Sequence, residues 1–338
     1  MINIRDRSLG ALTGLAIGDA LGMPTQYLPR EVIRERYDIV DDFHPGPDDN
    51  DISRGVPAGH VTDDTDQAVI LGHLFVAGRG SVDPDKFAGE LLGWQRRMRE
   101  SGSHDLLGPS TVRALAQVAE GVSADRTGRW GDTNGAAMRI APIGVGVPGD
   151  PPERLVDAVE QASRVTHNTG IAIAGASAVA AAVSSGIDGN PIAESLRRAV
   201  VAARIGGRRG HYVAGADVAD RVVWALELVS GRTASEAIDI VYRLVGTGVA
   251  TQEAVPAAFA FASLCPDNVW EACRHAASVG GDSDTIAAMT GAVVGAHAGI
   301  GSVPPRILRR FATANPDLAL DRLADDLLAL RHVGVSRA

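Results

Sequence analysis

The sequence predicts an all-α protein, one compact orthogonal bundle of many helices over residues 1–338. Three observations carry that prediction. Apolar segments of helical length follow one another along the chain, and no stretch alternates apolar and polar residues as a strand would. Small residues dominate these segments, as in Ala172 to Ala182, while aromatics make up only 4%, so helices can pack closely on helices. Pro84, Pro109, Pro151 and Pro152 fall near proposed helix starts, where a missing N–H is harmless.

The first helix is placed at 6–23. Gly10, Gly14, Gly18 and Gly22 recur every four residues and share one slowly drifting face. Such a face is a flat groove for helix packing. Its functional alternative is close backbone approach to a ligand near Gly18 and Asp19. Residues 27–59 read as irregular, broken by Pro29, the run His44 to Asp51, Gly55, Pro57 and Gly59. A loop of that length inside a compact domain suits a lid. Further helices are expected at 64–78, 84–100, 110–121, 153–165, 169–186, 191–204, 215–230, 234–245, 252–264, 267–278, 284–299, 304–313 and 317–332. The stretch 170–183 is apolar but short and is closed by Asp188, so it reads as a buried helix and not as a membrane span. No fixed-period repeat and no linker divides the chain.

With 45% hydrophobic and 22% charged residues, the composition is that of a folded soluble protein. A net charge of -9 argues against a protein that mainly grips bare nucleic acid; a modified nucleic acid stays open as a substrate. Cys265 and Cys273 lack an intervening His at ligand spacing, which excludes a disulfide framework or zinc site and fits a reducing cytoplasm. The N-terminal segment lacks an uninterrupted apolar core and carries Asp19 early, so no signal peptide is expected. The expected protein is cytoplasmic and monomeric, with no membrane partner.

Two distant clusters carry the chemistry. Thr62-Asp63-Asp64-Thr65-Asp66 and Gly281-Asp282-Ser283-Asp284-Thr285 each pack carboxylates and hydroxyls at the start of an apolar helix. A helix cap needs one hydroxyl and one carboxylate. Each cluster exceeds that need, and its repulsion calls for a cation or solvent. Hard oxygen donors suit Mg²⁺, Mn²⁺ or Ca²⁺. If the fold joins the clusters, they make an all-oxygen site for two divalent cations. Weaker signals are the helix-opening turn Gly108-Pro109-Ser110-Thr111, the Asn134-Gly135 turn before Arg139, and Thr166-His167 amid apolar flanks.

In order, Gly14-Leu-Ala-Ile-Gly-Asp-Ala-Leu-Gly22, Thr62-Asp-Asp-Thr65, Asn134-Gly-Ala-Ala-Met-Arg139, Thr166-His167 and Gly280-Gly-Asp-Ser-Asp-Thr285 resemble the ADP-ribosylglycohydrolase family, and its uncharacterised bacterial members in particular. The resemblance implies an all-α fold with a cleft holding two Mg²⁺, or Mn²⁺. By carry-over the metal ligands are Thr62, Asp63, Asp64, Asp282, Asp284 and Thr285. Asp63, Asp64 and Asp284 would also serve catalysis. Gln26, Gly108, Asn134, Gly135, His167, Gly281 and Ser283 would bind ADP-ribose or an ADP-ribosylated substrate. Ser283 stands where many relatives have Thr. Gln26 stands near a Glu of many relatives that contacts metal or water, and an amide cannot accept that proton. Asp19 or Asp105 would then be the base. The implied activity is metal-dependent hydrolysis of ADP-ribosyl linkages. The alternatives are an ADP-ribose-binding module impaired by Gln26, or a hydrolase of another ribosyl or nucleoside conjugate.

Overall fold

Helix follows helix along the chain, and no β-strand occurs among the described residues. The computed structural model describes residues 2–100 and 107–335, with side chains to residue 332. The helices are α1 (Ile4–Gly22), α2 (Arg30–Tyr37), α3 (Asp63–Ala77), α4 (Pro84–Glu100), α5 (Pro109–Ala119), α6 (Gly135–Met138), α7 (Ala141–Gly146), α8 (Pro152–Ser163) and α9 (Gly170–Ile187). They continue as α10 (Ile192–Gly206), α11 (Val218–Val229), α12 (Ala234–Ile240), α13 (Thr251–Leu264), α14 (Val269–Ala277), α15 (Ser283–Ala298), α16 (Pro305–Ala314) and α17 (Leu320–Val335). Local chemistry sets many of the starts. Proline is the first residue of α4, α5, α8 and α16. Thr169 caps α9, Asp217 caps α11, and Thr233 with Glu236 forms a capping box on α12.

Three expectations are corrected. Residues 27–59 are not irregular throughout, since α2 lies inside them. It buries Ile33 as its one apolar anchor, too little for a periodic signal. The helix expected at 234–245 stays α-helical only to Ile240 and then widens into a π-helical turn over Val241–Val245. The short α6 and α7 fall where no helix was expected, because four to six residues cannot display a period. The 27–59 segment is tied down: Asn50 Nδ2 donates to the Gln26 carbonyl at 2.7 Å, Gly46 N–H to Val56 O at 2.9 Å, and Arg36 pairs with Asp49.

Two helices organise the core. Every residue of α9 from Ile171 to Ile187 is buried, so this apolar helix spends its hydrophobicity on α7, α8, α10, α13 and α15. The other is α1, whose glycine face meets α15 backbone to backbone. A Cβ on Gly14 or Gly18 would overlap the carbonyl oxygen of Gly291 or Ala287, and one on Gly22 would sit 2.5 Å from the Asp284 Cα. Gly291 and Gly295 return the contact, overlapping Gly14 O and Gly10 O if given a Cβ. The seam leaves no room for a methyl group and fixes the register of α15 on α1. Gly18→Ala is therefore expected to destabilise the protein by about 3 kcal/mol, read as a lower urea midpoint, because backbone cannot move aside as a side chain can.

Candidate active site

The seam delivers the start of α15 to the end of α1. One turn earlier, α1 also captures the start of α3. Asp19 is fully buried, and both of its oxygens accept hydrogen bonds. Thr62 donates its N–H at 2.9 Å and its hydroxyl at 2.8 Å, while Thr65 donates its N–H at 3.1 Å and its hydroxyl at 2.5 Å. Burial still prevails over these bonds and raises its pKa to about 6. Asp19 is thus the clamp that holds the first acidic cluster in place. It does not line the cavity described below, and its oxygens are engaged by Thr62 and Thr65.

The second cluster is shaped by Gly280 and Gly281, both at positive φ (90° and 71°), where L side chains are strained. The turn is braced on two sides. Tyr27 N–H donates to Gly281 O at 2.6 Å, Gly281 N–H to Leu28 O at 3.1 Å, and Asp282 N–H to Thr247 O at 2.7 Å. Ser283 turns inward to bond Gly22 O and Thr25 Oγ1. Tyr27 itself holds φ of 59°, an uncommon conformation for a non-glycine residue, beside the carboxylates.

Between the two helix starts lies a cavity of about 100 Å³ lined by Gln26, Tyr27, Ile52, Asp63, Asp64, Leu107, Gly108, Pro109, Thr111, Thr133, Asn134, Gly135, Met138, Val249, Asp282, Asp284 and Thr285. Burial, then mutual repulsion, holds the carboxyls of Asp63, Asp64 and Asp284 well above the usual carboxylate range. Asp282 rises to about 6 although Asn134 Nδ2 donates to it at 2.5 Å. Gln67 Nε2 donates to Asp63 at 2.7 Å, and Thr285 Oγ1 to Asp64 Oδ2 at 3.2 Å. Asp64 Oδ1 and Asp284 Oδ1 are buried without a hydrogen-bond partner, as is Gln26 Nε2. Buried carboxylate oxygens left in this state call for a cation or a proton. The donors are oxygen throughout, which suits Mg²⁺ or Mn²⁺. Among the described residues no three Asp, Glu, His or Cys groups already close as a metal-binding group, so the carboxylates are gathered but not caged.

Of the expected site residues, Gln26, Asp63, Asp64, Gly108, Asn134, Gly135, Asp282, Asp284 and Thr285 share this cavity. Thr62, His167, Gly281 and Ser283 do not line it. Thr62 gives its hydroxyl to Asp19 and caps α3, and His167 stands one layer back, bonded to Thr133 at 3.0 Å. Asp66 faces elsewhere and accepts from Trp94 Nε1 at 2.7 Å. Asp105 lies outside the described residues. Sequence reasoning missed Tyr27, which nothing local marks, and met Thr111 and Thr133 only within weak turn motifs, without assigning them to the cavity.

Residues 1–335 match the ADP-ribosylglycohydrolase family. The uncharacterized protein YegU of Escherichia coli (strain K12) is 33% identical over 97% of this chain and 98% of its own. The ADP-ribosylarginine hydrolase Tri1 of Pseudomonas putida (strain GB-1) is 28% identical over 95% of this chain and 78% of its own. A solved structure named ADP-ribosylglycohydrolase-related protein complex superposes with a TM-score of 0.72 at 26% identity, covering 98% of this chain and 99% of that one.

Proposed function

The chain belongs to the ADP-ribosylglycohydrolase family, whose members are glycosidic-bond hydrolases, and on that premise we propose that it cleaves ADP-ribosyl linkages with two divalent cations, Mg²⁺ or Mn²⁺, held between α3 and α15. The observation that carries this reading is the meeting of two acidic helix starts in one cavity, with buried oxygens of Asp64 and Asp284 left unpaired. Thr62, Asp63, Asp64, Asp282, Asp284 and Thr285 would hold the ions. When bound, such ions polarise a water and orient the distal ribose diol.

The remaining residues bind and orient. The start of α5 reaches the cavity through Gly108, Pro109 and Thr111, and its free N–H groups and dipole suit a pyrophosphate. Asn134 fixes one oxygen of Asp282, and the buried carboxylates favour the positive charge that develops on the ribose ring as the bond breaks. Gln26 offers an unpaired N–H to the cavity and cannot take a proton. Gln26→Glu is therefore expected to raise kcat at neutral pH about 10-fold or more, with ADP-ribose affinity little changed.

The reading is tested by ADP-ribose release from arginine-, serine-, nucleic-acid- and small-metabolite-linked substrates, with Mg²⁺ and with EDTA. Turnover that survives EDTA unchanged removes the metal from the proposal. Binding of free ADP-ribose without turnover of any substrate supports the binding-module reading of Gln26.

A further inference from the structure

We propose that Arg139 sets the tautomer of His167 and thereby makes Thr133 a fixed hydrogen-bond donor facing the ligand in the cleft. Arg139 is completely buried, yet it does not touch the cavity. Its Nη1 donates to Gln67 Oε1 at 2.7 Å and its Nη2 to Thr166 Oγ1 at 2.5 Å. A guanidinium carries only donors, so the direction of both bonds is fixed. Gln67 must then turn its NH₂ outward, and that group donates to Asp63 Oδ2 at 2.7 Å.

The Thr166 branch is read the same way. The hydroxyl of Thr166 is completely buried, and its partners are Arg139 and His167 Nδ1, the latter at 2.7 Å. Arginine cannot accept its proton, so His167 Nδ1 does. The ring is neutral, since burial, Arg139 and Arg113 push its pKa well below the usual value. Its one proton is then on Nε2, 3.0 Å from Thr133 Oγ1, and that oxygen accepts. The ring packs closely against Gly135, where a Cβ would lie 2.7 Å from His167 Cε1. The hydroxyl proton of Thr133, a residue of the cavity wall, is left for the ligand.

Arg139 is thus a positioning residue, acting through Gln67 on Asp63 and through Thr166 and His167 on Thr133. The wall at Thr133 selects an oxygen lone pair on the ligand and disfavours an N–H donor. Its assignment to an oxygen of the ADP-ribosyl group rests on the function proposed above, whereas the tautomer does not.

The experiment records imidazole nitrogen spectra of the ¹⁵N-labelled protein at pH 7, together with calorimetric binding of ADP-ribose. His167 is expected as the single Nε2–H tautomer in the native protein and in Arg139→Lys, which keeps only donors. Arg139→Gln, which brings an acceptor, is expected to populate the Nδ1–H form. Thr133→Val is expected to weaken ADP-ribose binding about 10-fold, and Thr133→Ser to restore it. A native His167 in the Nδ1–H or imidazolium form overturns the proposal, and needs no variant to fold. Unchanged affinity in Thr133→Val overturns the donor role. If the tautomer is as stated but native protein binds no ADP-ribose, the ADP-ribosyl reading fails and the relay stands.

Discussion

Asp284→Ala is expected to lower turnover of an ADP-ribosylated substrate by about 10³-fold or more while making the metal-free protein more stable at neutral pH. The two effects share one cause. Asp284 is buried against Asp64, Asp282 and Asp63, with one oxygen unpaired and its carboxyl held well above the normal range. Without a cation, its charge adds burial and repulsion with no return, and removing it relieves its neighbours as well. Replacing such a group stabilises by roughly 1–3 kcal/mol. With a cation held as proposed, the same oxygen would be a ligand, and its loss would forfeit several kcal/mol of transition-state stabilisation, at about 1.4 kcal/mol per factor of ten. Urea denaturation in EDTA and kcat in Mg²⁺ are the paired measurements, with Asp284→Asn as the isosteric control. A variant that is less stable in EDTA and still fully active would contradict the assignment of Asp284.

A second large effect concerns pH. In the absence of metal, the protein is expected to lose stability as pH rises, through the carboxylates of the site. Asp19 and Asp282 titrate from an ordinary value of 3.8 at about 6 in the folded chain, with burial as the main cause. Between these values the folded state holds more protons than the unfolded state. Stability therefore falls as pH climbs from about 4 to 6 and is flat above that for these two groups. A displacement of this size in one group corresponds to roughly 3 kcal/mol. Asp63, Asp64 and Asp284 extend the loss to higher pH, since they are raised further. Surface pairs such as Asp42 with Arg310 and Glu194 with Arg197 work in the opposite direction, because their carboxyls are lowered. Comparison with Asp282→Asn isolates the site. The native protein is expected to lose more melting temperature than the variant between pH 4.5 and 6.5 in EDTA. Saturating Mg²⁺, which takes the place of the protons, should cancel that loss and raise the melting temperature with log concentration. A native protein with the same pH slope as Asp282→Asn, and no response to Mg²⁺, would refute the metal site.

Much of this architecture is legible along the chain. Helix was readable from small apolar segments punctuated by Gly and Pro; it failed for α2, α6 and α7, which lack a second turn or an apolar face, and it did not foresee the π-helical turn after α12. The glycine spacing in α1 announced a packing face but not its partner, because a groove carries no record of the ridge that fills it. Asp19 looked functional beside Gly18, yet four donors from α3 make it a clamp. Ser283 and His167 sit inside ligand-like motifs and serve the wall from behind. Tyr27 reaches the carboxylates only because its backbone pairs with Gly281, more than two hundred residues away.

By itself, the sequence determined an all-helical chain with two hydroxyl-and-carboxylate clusters at helix starts, since capping, periodicity and donor chemistry are local properties. That the clusters share one buried cavity was decided by the tertiary structure. A methyl-free seam sets α15 on α1, a buried carboxylate pins α3 one turn away, and both contacts join residues distant along the chain, Gly18 with Ala287 in the seam and Asp19 with Thr62 at the clamp. The same burial that joins the four carboxylates raises their pKa values, so their need for a compensating charge, proton or cation, is also a property of the fold and not of the motifs.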